Sequence, residues 1–433
     1  MRLAPIAALV CLLSPAVVPA ADLDELVAQS APRATQLRHQ IHLNPELGNR
    51  EFETAKLIAA HLKSLGFEVR TGVAKTGVIG VLRGGKPGPT IAVRADMDAL
   101  PVVEQTDLPF ASTKRTTFDG QDVGVAHACG HDVHTAVQLG VASVLAGMRD
   151  DLSGTVLLIF QPAEEGAPTG EEGGAELMLK EGLFDEFKPV AILGLHMFPE
   201  FEVGTVAFGA GPMQAASDSW RALIKGKQAH GAWPQLGVDP VVMAAEAVLS
   251  LQTIRSRNID PTAAAVVTVG IIRGGERINI IPAEVELRGT VRTYDPAVQD
   301  LIERRMREIL GGVTQAGGGS FELAYTRENP PLVNDAALSA WAGERLKANM
   351  GAEQVQSMRA VMGAEDFAFF SQRVPGFYFR LGATKAGTTN GGLHTPTFRA
   401  DDGAIPVGMR AMAGLVVDFL AAPPQLDAPR QEP

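Results

Sequence analysis

Eight consecutive residues, His127-Ala128-Cys129-Gly130-His131-Asp132-Val133-His134, hold three of the chain's nine histidines and a thiol. Thiolate, imidazole and carboxylate are the side chains that bind transition metals, and the single glycine between Cys129 and His131 lets both converge on one ion. A buried cysteine among surface histidines is the alternative. The density of ligand types in so short a run favours the metal. A second cluster, Phe160-Gln161-Pro162-Ala163-Glu164-Glu165-Gly166, follows an apolar run that reads as a strand, and open α/β sheets place their sites at the C-terminal ends of strands. Adjacent carboxylates cannot point the same way, so one can bind a cation while the other faces water. A solvated acidic loop would look the same on this segment alone, and Glu171-Glu172 shows that such pairs recur.

Two histidines stand at the ends of apolar runs: His196 after Ile192-Leu193-Gly194-Leu195, and His394 in Gly391-Gly392-Leu393-His394-Thr395-Pro396. Each alone reads as a structural histidine. With the first two clusters they complete a set of five protein donors, more than a closed tetrahedral zinc site takes, which leaves open positions on two metals. Asp96 and Asp98, two apart in Arg94-Ala95-Asp96-Met97-Asp98-Ala99-Leu100-Pro101, face the same side if the strand continues. They could be ligands, acceptors that orient a ligand imidazole, or loop carboxylates capping the next turn.

The elements that must position these residues follow from pattern. With 433 residues, two domains are expected. The hydrophobic content of 46% and charged content of 20% fit a folded soluble chain, and the net charge of -11 argues against a nucleic-acid backbone as partner. Residues 1–20, with Arg2 before an uncharged apolar run and small residues at Val18-Pro19-Ala20, read as a cleaved secretory signal, too short for a membrane anchor. That implies a periplasmic or secreted protein whose mature form has no membrane association. No other segment reads as long and apolar enough to span a bilayer. Of the two cysteines, Cys11 leaves with the signal and Cys129 remains. The mature chain then forms no internal disulfide, and its one thiol must be buried or metal-bound to survive oxidation.

Helical spacing over 23–65 is broken by a turn at Asn44-Pro45. Strands are expected at 78–82, 90–94, 155–160 and 190–195, with a helix over 135–148. That alternation implies an α/β layer with a largely parallel sheet. Residues 217–329 have their own order: strand 220–226, helix 240–255, strands 264–272 and 283–293, helix 297–310, strand 321–327. This β-α-β-β-α-β sequence is the ferredoxin-like unit, with the Gly-rich stretch 311–319 read as a turn. The expected division is a signal at 1–20, a catalytic domain in two parts (21–216 and 330–420), an inserted domain at 217–329 and a disordered tail at 421–433.

These segments resemble the amidohydrolase branch of the aminoacylase and carboxypeptidase metallopeptidase family, which includes hippurate hydrolases and plant indole-acetyl-amino acid hydrolases. The matching motifs run nearly the length of the mature chain. They are His42-Leu43-Asn44-Pro45-Glu46-Leu47-Gly48, residues 94–101, 128–134 and 161–165, Gly194-Leu195-His196, Asn279-Ile280-Ile281-Pro282, Gly363-Ala364-Glu365-Asp366-Phe367 and Leu393-His394-Thr395-Pro396. The resemblance implies a metal-binding catalytic domain with a ferredoxin-like lid through which two copies pair. It implies that Cys129, His131, Glu165, His196 and His394 hold two divalent ions per subunit, with Cys129 as the bridge. Zinc or manganese are the expected metals, with cobalt or nickel as alternatives. Glu164 would be the general base, Asp98 would orient a ligand, and His230 would reach the substrate carbonyl from the lid. Asn279 and Arg292 match positions that grip the substrate carboxylate in some relatives. The family commonly has Gly-Gly before the lid histidine and a second histidine where Gln235 stands.

The activity implied is hydrolysis of the amide of an N-acyl amino acid, hippurate-like or another acyl conjugate. A dipeptidase or carboxypeptidase of the same fold is the nearest rival. A non-catalytic metal- or peptide-binding protein would be expected to lack the base, and Glu164 is present. A nucleophilic cysteine amidase fits poorly with the histidines around Cys129.

Overall fold

The computed structural model describes residues 20–426. The signal expected at 1–20 lies outside them except for Ala20, and so does the part of the expected tail beyond Leu426. Helices α1 (Ala20–Leu43) and α2 (Phe52–Ser64) come first, then strands β1 (Glu68–Val73), β2 (Gly77–Arg83) and β3 (Lys86–Asp96). A small hairpin, β4 (Arg115–Phe118) and β5 (Gln121–Gly124), precedes α3 (His131–Gly147) and β6 (Ser153–Gln161). Next are α4 (Gly174–Lys180), α5 (Leu183–Phe187), β7 (Ala191–Glu202), β8 (Val206–Phe208) and β9 (Gly211–Gln214).

Residues 216–329 then build a second sheet. It contains β10 (Ala216–Lys225), β11 (Ala229–His230), α6 (Pro240–Thr253), β12 (Ala265–Arg273), β13 (Ile280–Ile281), β14 (Glu284–Thr293), α7 (Pro296–Ala316) and β15 (Ser320–Asn329). The chain returns through β16 (Leu332–Asn334), α8 (Ala336–Met350), β17 (Val355–Ser357), α9 (Phe367–Arg373), β18 (Gly376–Thr384) and α10 (Ala404–Ala421).

The main sheet has eight strands in the order β1-β2-β6-β3-β7-β18-β8-β17. Its centre, β6-β3-β7-β18, is parallel as expected. The β1-β2-β6 flank and the β18-β8 pair are antiparallel, because a three-residue turn between β1 and β2 can only fold the chain back on itself. In β6, Val156, Leu158 and Phe160 pack on the face covered by α1, α3 and α10, while Leu157 and Ile159 pack on the face covered by α4 and α9. Burial on both faces explains why this strand is a continuous apolar run. Strand β1 carries the exposed charges Glu68 and Arg70 and has no apolar pattern to announce it. Helix α10 is the one helix among the described residues long and apolar enough to cross a membrane, contrary to the expectation that none follows the signal. It is a core helix packed on α1 and α3.

The second sheet runs β12-β14-β10-β15, wholly antiparallel. It has its own core, in which Trp220, Leu287 and Ile224 meet Leu251 of α6 and Ile302, Met306 and Leu310 of α7. Here α7 corrects the sequence reading, because residues 311–316 are helix and not turn. The buried positions Ile302, Met306, Leu310 and Thr314 recur every four residues straight through Gly311-Gly312. Burying that stripe outweighs a cost of about 1 kcal/mol per helical glycine.

Candidate metal centre

The C-terminal ends of the central strands converge on one cleft of about 660 Å³. Cys129 sits just before α3 and His131 opens that helix. Gly130 between them has φ +87°, and a Cβ there would lie 2.9 Å from Cβ of Met197, so the turn that aims both donors inward needs glycine. The Cys129 thiol is free and buried. Its Sγ is 3.3 Å from Nε2 of His196 on β7, a strand that continues past the expected end at 195 to Glu202. Cys129, His131 and His196 place one donor atom each within 4.8 Å of one another, and so do Cys129, Glu165 and His394. Nε2 of His394 is 3.0 Å from Oε1 of Glu165. His394 holds a left-handed backbone, φ +62°, and its N–H donates to the Ala128 carbonyl.

The second ring nitrogens fix the orientation of the first. Asp98 accepts from Nδ1–H of His131 at 3.1 Å and from the Glu165 N–H at 3.0 Å. Nε2 of His131 is thereby left free of hydrogen bonds, 3.9 Å from Glu164 and 4.0 Å from Glu165. Nδ1–H of His196 donates to the Met197 carbonyl at 2.6 Å, presenting Nε2 to the thiol. Such partners set tautomer and basicity in metal-binding histidines. Asp96, the other aspartate of its segment, serves the structure behind. It accepts from His134 and from Arg94, while Nε2 of His134 accepts the Met197 N–H at 2.7 Å.

The electrostatics ask for positive charge. Burial opposes a proton on His131, yet Asp96, Asp98 and Glu165 outweigh it and push its pKa up to about 10. Burial, then Glu165, Glu164 and Asp96, drive the Cys129 thiol well above its usual range, so a thiolate forms there only against a cation. Glu164 is held well above the carboxylate range by burial and by Glu365, Glu165 and Asp366. The bare Nε2 of His131 and a thiol, imidazole and carboxylate donor set together fit divalent cations.

Arg292 of β14 lines the same cleft. His230 and Asn279 do not. They lie exposed on the β11–β13 pair, where the Gly231 N–H donates to the Asn279 carbonyl. Within one chain the structure therefore does not bring these two to the cluster, because the second sheet holds them away from it.

Sequence reasoning gives no role to four further residues. Arg94 is buried between Asp96, Glu365 and Asp366, and Gln161 joins Arg94 to Asp366. Glu365 and Asp366 fall in a motif quoted for the resemblance. Their partner lies far off in sequence, so no local spacing reveals the pairing.

A model of peptidase family M20/M25/M40 matches residues 92–418. The chain belongs to that family. It is 38% identical over 371 residues to the N-acetyl-L-cysteine deacetylase of Bacillus subtilis, covering 85% of this chain and 84% of that one. It is 37% identical over 388 residues to thermostable carboxypeptidase 2 of Saccharolobus solfataricus, covering 89% and 94%. Among solved structures it resembles the Bacillus subtilis YXEP protein, a dinuclear metal-binding peptidase from the M20 family. There the TM-score is 0.78 at 34% identity, covering 91% of this chain and 99% of that one. The M20 assignment makes the chain an enzyme of the amidohydrolase and metallopeptidase kind.

Proposed function

We propose that this M20 enzyme hydrolyses the amide bond of N-acyl amino acids, releasing a carboxylic acid and an amino acid, with two divalent cations. The observation that carries this reading is the meeting of Cys129, His131, Glu165, His196 and His394, with Nε2 of His131 buried and unpartnered among them. Those five would hold the ions, with Asp98 orienting His131. The thiolate favours zinc, with manganese next and cobalt or nickel as alternatives. When bound, the cations would make a water acidic enough to attack near neutral pH and would polarise the amide carbonyl. Glu164 would take a proton from the attacking water and return it to the leaving amine. Arg292, with its fork of donors, would receive the substrate's α-carboxylate and so align the scissile bond.

His230 and Asn279 suit a different geometry. On this reading 217–329 is a ferredoxin-like lid, supported by its strand order, and His230 serves the cleft of a second copy. The free edge strand β12 supports such pairing, since Val266, Ile271 and Ile272 are exposed along it. The segment 1–20 would send the enzyme to the periplasm or outside.

The named relatives include both a deacetylase and a carboxypeptidase, so a peptidase acting on substrates with a free amine is the second reading. Metal-stripped and reconstituted protein assayed on N-acetyl and N-benzoyl amino acids beside dipeptides separates them. Metal-dependent turnover of the acylated set is expected, and preference for free-amine peptides would replace this proposal with the second.

A further inference from the structure

Among the described residues three arginines are almost wholly buried: Arg38, Arg94 and Arg380, none more than 2% exposed. Two are matched by carboxylates. Arg38 meets Asp132 and Asp402 at 2.9 and 2.6 Å, and Arg94 meets three acids. Arg380 has none. It stands on β18 in register with His196 of β7, its guanidinium carbon 4.7 Å from the ring centre of Phe198 and 5.6 Å from that of Tyr378. Stacking of this kind engages the faces of a guanidinium and none of its N–H donors. Its Nε is buried without a hydrogen-bond partner, and no side-chain carboxylate among the described residues pairs with it. Yet Arg380 lines the cleft that holds the metal donors and Arg292.

A buried cation without an anion is costly, and a guanidinium pinned on two aromatic rings with its edge free is shaped for a carboxylate. We infer that Arg380 receives a second carboxylate of the substrate, beyond the one given to Arg292. The preferred substrate is then a dianion, an N-acyl amino acid whose acyl chain or side chain ends in a carboxylate. Glu164, Glu165, Glu200 and Glu365 share the cleft and repel an anion elsewhere in it, so the second carboxylate is accepted only beside Arg380. The inference rests on the proposed hydrolase reading and adds the substrate class.

The test compares metal-reconstituted wild type and Arg380→Met on two pairs: N-acetyl-L-glutamate with N-acetyl-L-glutamine, and N-succinyl-L-methionine with N-butyryl-L-methionine. Wild type should favour the dianion of one pair by about 10–100-fold in kcat/KM, the range for a charged hydrogen-bonded contact. The pair that responds tells which end carries the carboxylate. In Arg380→Met that ratio should collapse towards unity, and in Arg380→Lys, which keeps the charge without the fork, it should fall between. A second readout needs no turnover: by calorimetry, wild type should bind glutarate at least about tenfold tighter than butyrate, and Arg380→Met should not. Equal kcat/KM within both pairs and equal binding of the two acids would overturn the inference while leaving the hydrolase reading intact. Loss of activity in Arg380→Met on both members of a pair alike would overturn it as well. If wild type turns over none of the four yet still prefers glutarate through Arg380, the anion site stands and the hydrolase reading falls.

Discussion

Behind the metal donors and in front of them lie two regions of nearly the same chemistry, arginine, carboxylate and imidazole, with opposite outcomes. Behind, the accounts close: Arg94 serves Asp96, Gln161, Glu365 and Asp366, and Tyr378 donates to Glu365 at 2.5 Å. On the α1 side His42 donates to Asp132 at 2.9 Å and Glu104 at 3.1 Å. In front, Nε2 of His131 and Nε of Arg380 are buried without hydrogen-bond partners. Native interiors leave few polar atoms unsatisfied. Where such atoms gather at a cleft they mark what a ligand completes, and where every one is matched they mark scaffold. His127 departs from this rule, since both its ring nitrogens are buried without partners and burial, with His42 and His131 near, holds its pKa down to about 3.

The contrast can be broken from either side. The largest effect belongs in front: Glu164→Gln should lower kcat by about 10²–10⁴-fold while elemental analysis finds the metal content unchanged. An unaltered kcat would remove Glu164 as the base. Behind, Arg94→Met strands Asp96, Glu365 and Asp366 without their cation, and urea unfolding should register a loss of about 3–5 kcal/mol. A loss below about 1 kcal/mol would mean that this region is not scaffold.

The scaffold should also titrate. Burial works against a proton on His42, but Asp132 and Glu104 outweigh it and raise its pKa from 6.5 to about 9. Since the folded value is the higher, the stabilisation is complete below the unfolded value and drains away as pH rises through about 9. The loss is about 3 kcal/mol, readable as a fall in urea midpoint between neutral and alkaline buffer. His42→Gln should flatten that fall, and a slope that survives the substitution would assign it elsewhere. The smallest change in stability belongs in front again. His394 is half-exposed, so His394→Ala should shift stability by no more than about 0.5 kcal/mol while metal affinity, followed by chelator competition, drops at least about tenfold. Undiminished affinity would exclude His394 as a ligand.

The same contrast governs what a sequence discloses. The cluster of Cys129, His131, Glu164 and Glu165 stood out because thiol, imidazole and paired acid crowd into short runs, whereas His196 and His394 stand alone in the sequence and only the fold brings them beside Cys129 and Glu165. The parallel centre of the sheet was legible because strands buried on both faces are uninterrupted apolar runs. Arg94 and Arg380 were not, since an arginine inside a strand looks alike whether it is paired or waiting, and only the neighbouring strands tell. Helix α7 outran its expected end because glycine propensity is local whereas the stripe that overrides it is tertiary. His230 and Asn279 carry recognisable motifs, but a motif does not say where the fold will hold it, and here both lie exposed away from the cleft.

One more consequence follows from where His394 stands. Its loop comes after the last strand of the main sheet, and its N–H is tethered to the Ala128 carbonyl. A loop late in the chain thus meets side chains set much earlier, at Cys129 and Glu165. A chain clipped ahead of that loop would keep every strand of the main sheet in its sequence and still lack this imidazole beside Glu165.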